Sequence, residues 1–251
     1  KTQSYHCGLA DSPILYQTIG NYLDTIASRY PDNEALVVCH QSIRWTYREF
    51  NREVDRLAKG FLALGIQPGD RVGIWGPNSY EWTLVQFATA KIGAILVCVN
   101  PTYGLYELEY ALDKVGCKLL VSAEKFKHSN YLEMLLELIP ELAHCGAESL
   151  TSKKLPELEM IVRMGCADSA GMFNFEAVCE LGGDVETREL KAIMEKLQPD
   201  DAINIQFTSG TTGSPKGATL SHTNILNNGY LCGKGMGFTH RDRLCLPVPL
   251  Y

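Results

Sequence analysis

Apolar residues recur along this chain in two rhythms, one of three to four residues and one of two, and the two rhythms take turns. Phe50, Val54, Leu57, Phe61 and Leu64 fall at steps of four and three, which predicts a helix with one apolar stripe. Thr46 and Glu49 stand at the spacing of a capping box at its start, and Gly65 suits its stop. Upstream, Ile19, Tyr22, Leu23 and Ile26 predict a helix over Thr18–Arg29. A strand is predicted over Ala35–Cys39, paired across a turn with Ile43–Trp45. Residues 1–13 show no period and read as a peripheral arm.

Downstream the alternation becomes regular. Strands are predicted over Arg71–Trp75, Ala94–Val99, Cys117–Ser122 and Met160–Arg163. Helices are predicted over Ser79–Ile92, apolar on nearly every side, over Leu105–Val115, closed by Gly116, and over His128–Ile139 and Asn174–Leu181. Residues 140–156 are mixed and polar and read as a surface excursion, and Arg188–Leu197 as a charged helix. Ile203, Ile205 and Phe207 alternate with Asn204 and Gln206, which predicts a further strand. Gly217–Leu220 reads as a short exit strand, Ser221 as the N-cap of a helix, and Arg243–Leu250 as a last strand. Strand-then-helix repetition of this kind predicts an α/β fold: a doubly wound, mostly parallel sheet with helices on both faces.

Composition narrows the chemistry. The 251 residues carry a net charge of −6 and no basic stripe, so nothing provides the electrostatic footprint of nucleic-acid binding. The longest apolar run, Ile92–Val99, is far short of the ~18 residues of a membrane span, and no transmembrane segment is expected. Nine scattered cysteines, odd in number and without a C-x-x-C pair, read as free thiols in a reducing compartment. The histidines at 6, 40, 128, 144 and 240 have no spacing that suggests a metal or a triad.

The stretch between the two strands around 208 carries the most chemistry: Thr208, Ser209, Gly210, Thr211, Thr212, Gly213, Ser214, Pro215, Lys216. Glycines let backbone N–H groups turn toward a ligand, and successive N–H groups form a concavity that accepts an anion. The hydroxyls add donors that can follow a phosphate chain, and Lys216 adds a positive point charge. By residue type this is a polyphosphate cradle. It is not a Walker A loop, because Pro215 precedes Lys216 and Gly217 follows it, and G-x-G-x-x-G is absent.

Phe207–Gly217 closely resembles the phosphate-binding signature of the adenylate-forming enzymes, the family of acyl-CoA synthetases, luciferases and peptide-synthetase adenylation domains. Its flanks, Ile203–Phe207 and Ala218–His222 with Asn224, look like those of fatty acyl-CoA ligases. So do Trp75–Tyr80, Val99–Pro101, Leu108–Tyr110 and Lys114–Lys118. Similarity runs from about Ala35 to Tyr251, is weakest between Ser129 and Pro199, and is nearest to the medium-chain, mitochondrial type.

The resemblance implies ATP with Mg2+, CoA as co-substrate and a fatty acid as the other small-molecule partner. It implies that Thr208–Lys216 grip the β- and γ-phosphates, with Thr211, Thr212 and Lys216 foremost. It also implies a location in the mitochondrial matrix, although no transit peptide is visible. The chain then corresponds to the N-terminal portion of the AMP-binding large domain. The small C-terminal domain, with its catalytic lysine, is not in it, so the piece alone is expected to be inactive. The alternative is a non-catalytic nucleotide-binding or structural piece. Trp75–Asn78, Asn100–Pro101, His222, Asp200 and Asp201 are secondary candidates for which turn or helix-end chemistry is the expectation.

Overall fold

The computed structural model describes residues 13–208 and 215–251, so the expected arm at the N-terminus lies almost wholly outside the described residues. In chain order the elements are α1 Ile19–Arg29, β1 Glu34–Val38, β2 Ile43–Thr46, α2 Tyr47–Ala63, β3 Arg71–Trp75, α3 Tyr80–Ile92, β4 Ile95–Val99, α4 Leu105–Val115 and β5 Cys117–Ser122. There follow β6 Lys125–Phe126, β7 Ser129–Asn130, α5 Tyr131–Leu138, β8 Met160–Arg163, β9 Phe173–Asn174, α6 Phe175–Leu181, α7 Thr187–Met194, β10 Ala202–Thr208, β11 Lys216–Ser221 and α8 His222–Gly235.

Seven strands form the main sheet in the order β11-β10-β4-β3-β5-β8-β9. Every neighbouring pair is parallel except β10 with the edge strand β11, so the expected doubly wound, mostly parallel sheet is what forms. Both faces are covered, and the period of two decides which residue goes where. Val72, Ile74, Leu96, Val121 and Val162 share a core with Val54, Leu57 and Phe61 of α2 and Val85 and Ala88 of α3. Trp75, Val97, Val99, Leu120 and Ile161 face the other way, into a core with Leu108 and Leu112 of α4 and Leu135 and Leu138 of α5. Helix α3 buries residues on nearly every side, Glu81 and Lys91 among them, as its mostly apolar sequence predicts.

The start signals hold in detail. Thr46 accepts from the Glu49 amide while the Glu49 carboxylate accepts from the Thr46 amide, which completes the capping box of α2. Gly116 ends α4 at φ +60°, in the left-handed region that glycine alone enters without strain.

Five expectations are corrected. The helix expected over His128–Ile139 starts only at Tyr131, because Ser129–Asn130 pairs back onto Lys125–Phe126 as a small hairpin and leaves His128 exposed. Asn130 caps the helix through the Glu133 amide. The charged helix expected to reach Leu197 ends at Met194. The excursion over 140–156 is not all surface: Leu142, Leu150, Ser152 and Leu155 are buried. Arg243–Leu250 is no strand. Pro247 and Pro249 lack the N–H groups a ladder needs, and Leu244, Leu246 and Val248 are exposed. Within β10, Ile203 leaves the face of Ile205 and packs with Ala90 of α3, since the pairing register shifts between Ala202 and Asn204.

Candidate functional site

Parallel strands all end at the same edge of a sheet, and in α/β folds that carboxyl edge is where ligands bind. Here the edge gathers the ends of β3, β4 and β10, the three strands whose following turns the sequence singled out.

The turns after β3 and β4 are locked together. Trp75 is fully buried and stacks on Tyr131 with ring centroids 3.6 Å apart. Its indole N–H donates to the carbonyl of Asn100 at 3.2 Å, and the Tyr131 hydroxyl donates to the carbonyl of Pro101 at 2.5 Å. Asn100 turns its own side-chain oxygen to the amide and hydroxyl of Thr102, at 2.9 and 2.8 Å. Asn78 clasps the C-terminal segment: it donates to the carbonyl of Val248 and accepts from the amide of Leu250. Ser79 caps α3. These groups hold the shape of the edge, and their polar atoms are taken up in doing so.

The stem of the glycine-rich loop is built by β10 and β11. Thr208 and Lys216 are cross-strand partners, both exposed, and the Thr208 hydroxyl donates to the Lys216 carbonyl at 3.4 Å. Pro215 is half-buried, and its carbonyl accepts a hydrogen bond from the hydroxyl of Tyr110 on α4 at 3.3 Å. Phe207 and Ile205 anchor the stem in the α4 and α5 core. A side chain at Gly217 would meet the Ile205 methyl at 3.0 Å, so the packing there is tight and Ile205 would have to give way to a larger residue. Of the expected cradle, Thr208, Pro215 and Lys216 are thus brought to the carboxyl edge. Ser209, Gly210, Thr211, Thr212, Gly213 and Ser214 lie outside the described residues.

The polar face of β10 opens into a cleft of about 550 Å3 beside this stem. Asn204 and Gln206 form its floor, with Gln86 of α3, Asn224, Ile225 and Asn228 of α8, and Leu250 and Tyr251 around it. The Asn204 and Gln206 carboxamides donate to the sulfur of Cys98, at 3.5 and 3.3 Å. Burial pushes that thiol up to about 12, so it stays protonated. The side chains lining the cleft are amides, aliphatic groups and the Tyr251 phenol, none with a formal charge. The alternation along β10 marked Asn204 and Gln206 as a polar face. That they floor a cleft depends on α3 and α8. Tyr110 falls in the ligase-like stretch Leu108–Tyr110, but nothing in the sequence pairs it with Pro215, 105 residues away.

His222 is not at this edge. It follows the far end of β11 from Lys216, is fully buried, and accepts the Ile19 amide proton on Nδ1 at 3.1 Å. Burial lowers its pKa to about 4, so it is neutral at pH 7. Asp200 accepts from the hydroxyls of Tyr16 and Thr223, and Asp201 from the amide of Gln198. Both therefore order the turn before β10. Among the described residues no group of three or more His, Cys, Asp or Glu side chains could hold a metal ion. No helix among them is long and apolar enough to cross a membrane, and their cysteines are free thiols.

Comparison with known proteins places this architecture. The chain is 46% identical over 252 residues to the mitochondrial medium-chain acyl-CoA ligase ACSF2 of Danio rerio. It is 43% identical over 252 residues to the protein of that name from Homo sapiens. It is matched over 100% and 99% of its own length but spans only 41% of either relative. Among solved structures, the long-chain-fatty-acid-CoA ligase FadD1 of Archaeoglobus fulgidus superposes with a TM-score of 0.72 at 23% identity, over 95% of this chain and 44% of that one. The inhibitor-bound N-terminal domain of FACL13 from Mycobacterium tuberculosis gives 0.71 at 24%, over 93% and 52%. These two establish the fold. Residues 23–251 match the model of the AMP-binding enzymes, so the chain belongs to that family.

Proposed function

We propose that this chain carries the phosphate-gripping part of an acid–thiol ligase that converts a medium-chain fatty acid to its CoA ester. A carboxylate oxygen attacks the α-phosphorus of Mg-ATP, the bond from that phosphorus to the bridging oxygen breaks, and pyrophosphate leaves. The CoA thiolate then attacks the acyl carbon of the adenylate, and AMP leaves with the electron pair of the broken C–O bond. In this reading Thr208–Lys216 hold the β- and γ-phosphates. The amides and hydroxyls of Ser209–Ser214 fix their direction and the Lys216 ammonium offsets the charge that develops on the leaving group. Mg2+ enters with the nucleotide.

The observation that carries the reading is the stem itself. The family's signature residues Thr208 and Lys216 close an antiparallel turn at the carboxyl edge of a parallel sheet. The acyl-chain length and a mitochondrial location are taken from the relatives' names, which read medium-chain and mitochondrial, and the matrix is our own assignment. We assign the chain to the N-terminal portion of the large domain. In this reading the isolated piece, which spans 41% of the relatives' length, does not complete the reaction by itself.

The test is carboxylate-dependent exchange of labelled pyrophosphate into ATP by the protein carrying this chain, with acids of graded length. Lys216→Ala is expected to slow exchange on the order of 10²-fold, the scale for losing one group that stabilises developing negative charge. An undiminished rate would remove Lys216 from the mechanism, and a lack of any carboxylate-dependent exchange would leave a non-catalytic nucleotide-binding role.

A further inference from the structure

We propose that Tyr110 is a positioning residue for the phosphate-gripping turn, acting through the main chain on either side of Lys216. The inference rests on the function proposed above and adds a residue to it. Two consecutive carbonyls flank the Cα of Lys216, and the described structure ties down both. The Lys216 carbonyl accepts from the Thr208 hydroxyl, which locks the following peptide plane across the β10–β11 pair. The Pro215 carbonyl accepts from the Tyr110 hydroxyl, which locks the preceding one. A peptide unit is planar, so fixing the Pro215 oxygen also fixes the amide nitrogen of Lys216. With both planes set, the Cα–Cβ direction of Lys216 is set too, and with it the region its ammonium sweeps.

The hydroxyl is delivered from a rigid support. Helix α4 is fastened at its start by the Glu107 carboxylate accepting from the Gly104 amide and is closed by Gly116 at φ +60°. Leu108 and Leu112, on the same helix, share a core with Ile205 and Phe207 of the strand that feeds the turn. The two ends of the hydrogen bond are 105 residues apart in sequence, yet they belong to elements packed on one another. The remainder of the Tyr110 side chain is half-buried, so Tyr110→Phe keeps the ring and removes only the donor.

The experiment compares Tyr110→Phe and Lys216→Ala in the protein carrying this chain, reading KM for ATP, KM for the acid and the melting temperature. The expected result for Tyr110→Phe is a three- to tenfold rise in KM for ATP, about what one net hydrogen bond carries. KM for the acid and the melting temperature stay unchanged. If Lys216→Ala raises KM for ATP and Tyr110→Phe does not, the positioning role is overturned and the phosphate-gripping reading stands. If neither variant moves it, Lys216 has no part in gripping the phosphates, and the inference, which acts through Lys216, is overturned with that assignment. If Tyr110→Phe raises both KM values and lowers the melting temperature, the hydroxyl serves the fold in general and the inference is likewise overturned.

Discussion

At the scale of one residue, His222 shows how position in the fold decides what a side chain does. A histidine next to a phosphate-loop signature reads as a candidate for nucleotide contact or for helix-end structure, and the sequence alone cannot separate these. The fold does, by carrying His222 to the far end of β11 and burying it against the start of α1. Its neutral Nδ1 accepts the Ile19 amide proton, so protonation would both bury a charge and break that bond. Burial lowers the pKa from 6.5 to about 4, against the opposing pull of the negative charge of Asp201. The folded pKa is depressed, so below pH 6.5 the unfolded chain binds the proton more readily than the folded one. The stabilisation is therefore complete above pH 6.5 and is lost as the pH falls toward 4, to a total of about 3 kcal/mol. His222→Asn keeps an acceptor near Nδ1 and removes the titration. Urea unfolding at pH 7 and pH 4 is expected to show a smaller loss of stability in the variant than in the parent, and equal losses would assign the acid sensitivity elsewhere.

At the scale of the element, legibility followed how local the determinant is. Helix α2 was readable end to end because its cap, its stripe and its stop lie in its own sequence: Thr46 with Glu49, Phe50 to Leu64, then Gly65 at φ +79°. Thr46→Ala removes the oxygen that accepts the Glu49 amide proton and is expected to cost about 1 kcal/mol, seen as a lower urea midpoint with an unchanged slope. Thr46→Ser, which keeps that oxygen, should recover most of it. Helix α5 was misjudged because the decisive event is a pairing. Lys127 takes a positive φ of 53°, the chain folds back, and Asn130 becomes the cap. The Asn130–Glu133 spacing was the signal available for the true start. The stretch ending in Leu250 has the residue types of a strand but no neighbouring strand to join. It is held instead through side chains: Asn78 bonds the main chain of Val248 and Leu250, and Arg243 pairs with Glu34. For the candidate site the same division holds. The residue types of the cradle were legible, and so was the polar face of β10. The support from Tyr110 and the cleft between β10 and α8 were not, because each joins segments far apart in sequence.

At the scale of the molecule, the carboxyl edge keeps its shape only if the helical layer behind it stays seated on the sheet, and one lysine pins three helices of that layer. Lys91 of α3 is buried, with its ammonium 2.6 Å from Asp24 of α1 and 2.5 Å from Asp55 of α2, and it also donates to Asn51 of α2 at 2.8 Å. A buried ammonium is costly to desolvate and is tolerated here because each donor has an acceptor. The packing leaves no slack, since a side chain at Gly20 of α1 would strike the Lys91 stem at 2.9 Å. Lys91→Met keeps most of the stem volume but leaves two carboxylates facing each other without the charge between them. The loss expected is a few kcal/mol, about 3–5 by the usual cost of breaking a buried pair, tempered by the partial exposure of both aspartates. That is a large share of the 5–15 kcal/mol that holds a typical domain together. If the damage is electrostatic, then adding Asp24→Asn and Asp55→Asn to Lys91→Met should restore much of the urea midpoint, because two neutral amides can bond each other where two carboxylates cannot. If the triple variant is no more stable than Lys91→Met alone, the lysine matters for its packing instead. The layer would then be held by the apolar contacts of α2 and α3, with the ion pairs only filling the seam between them.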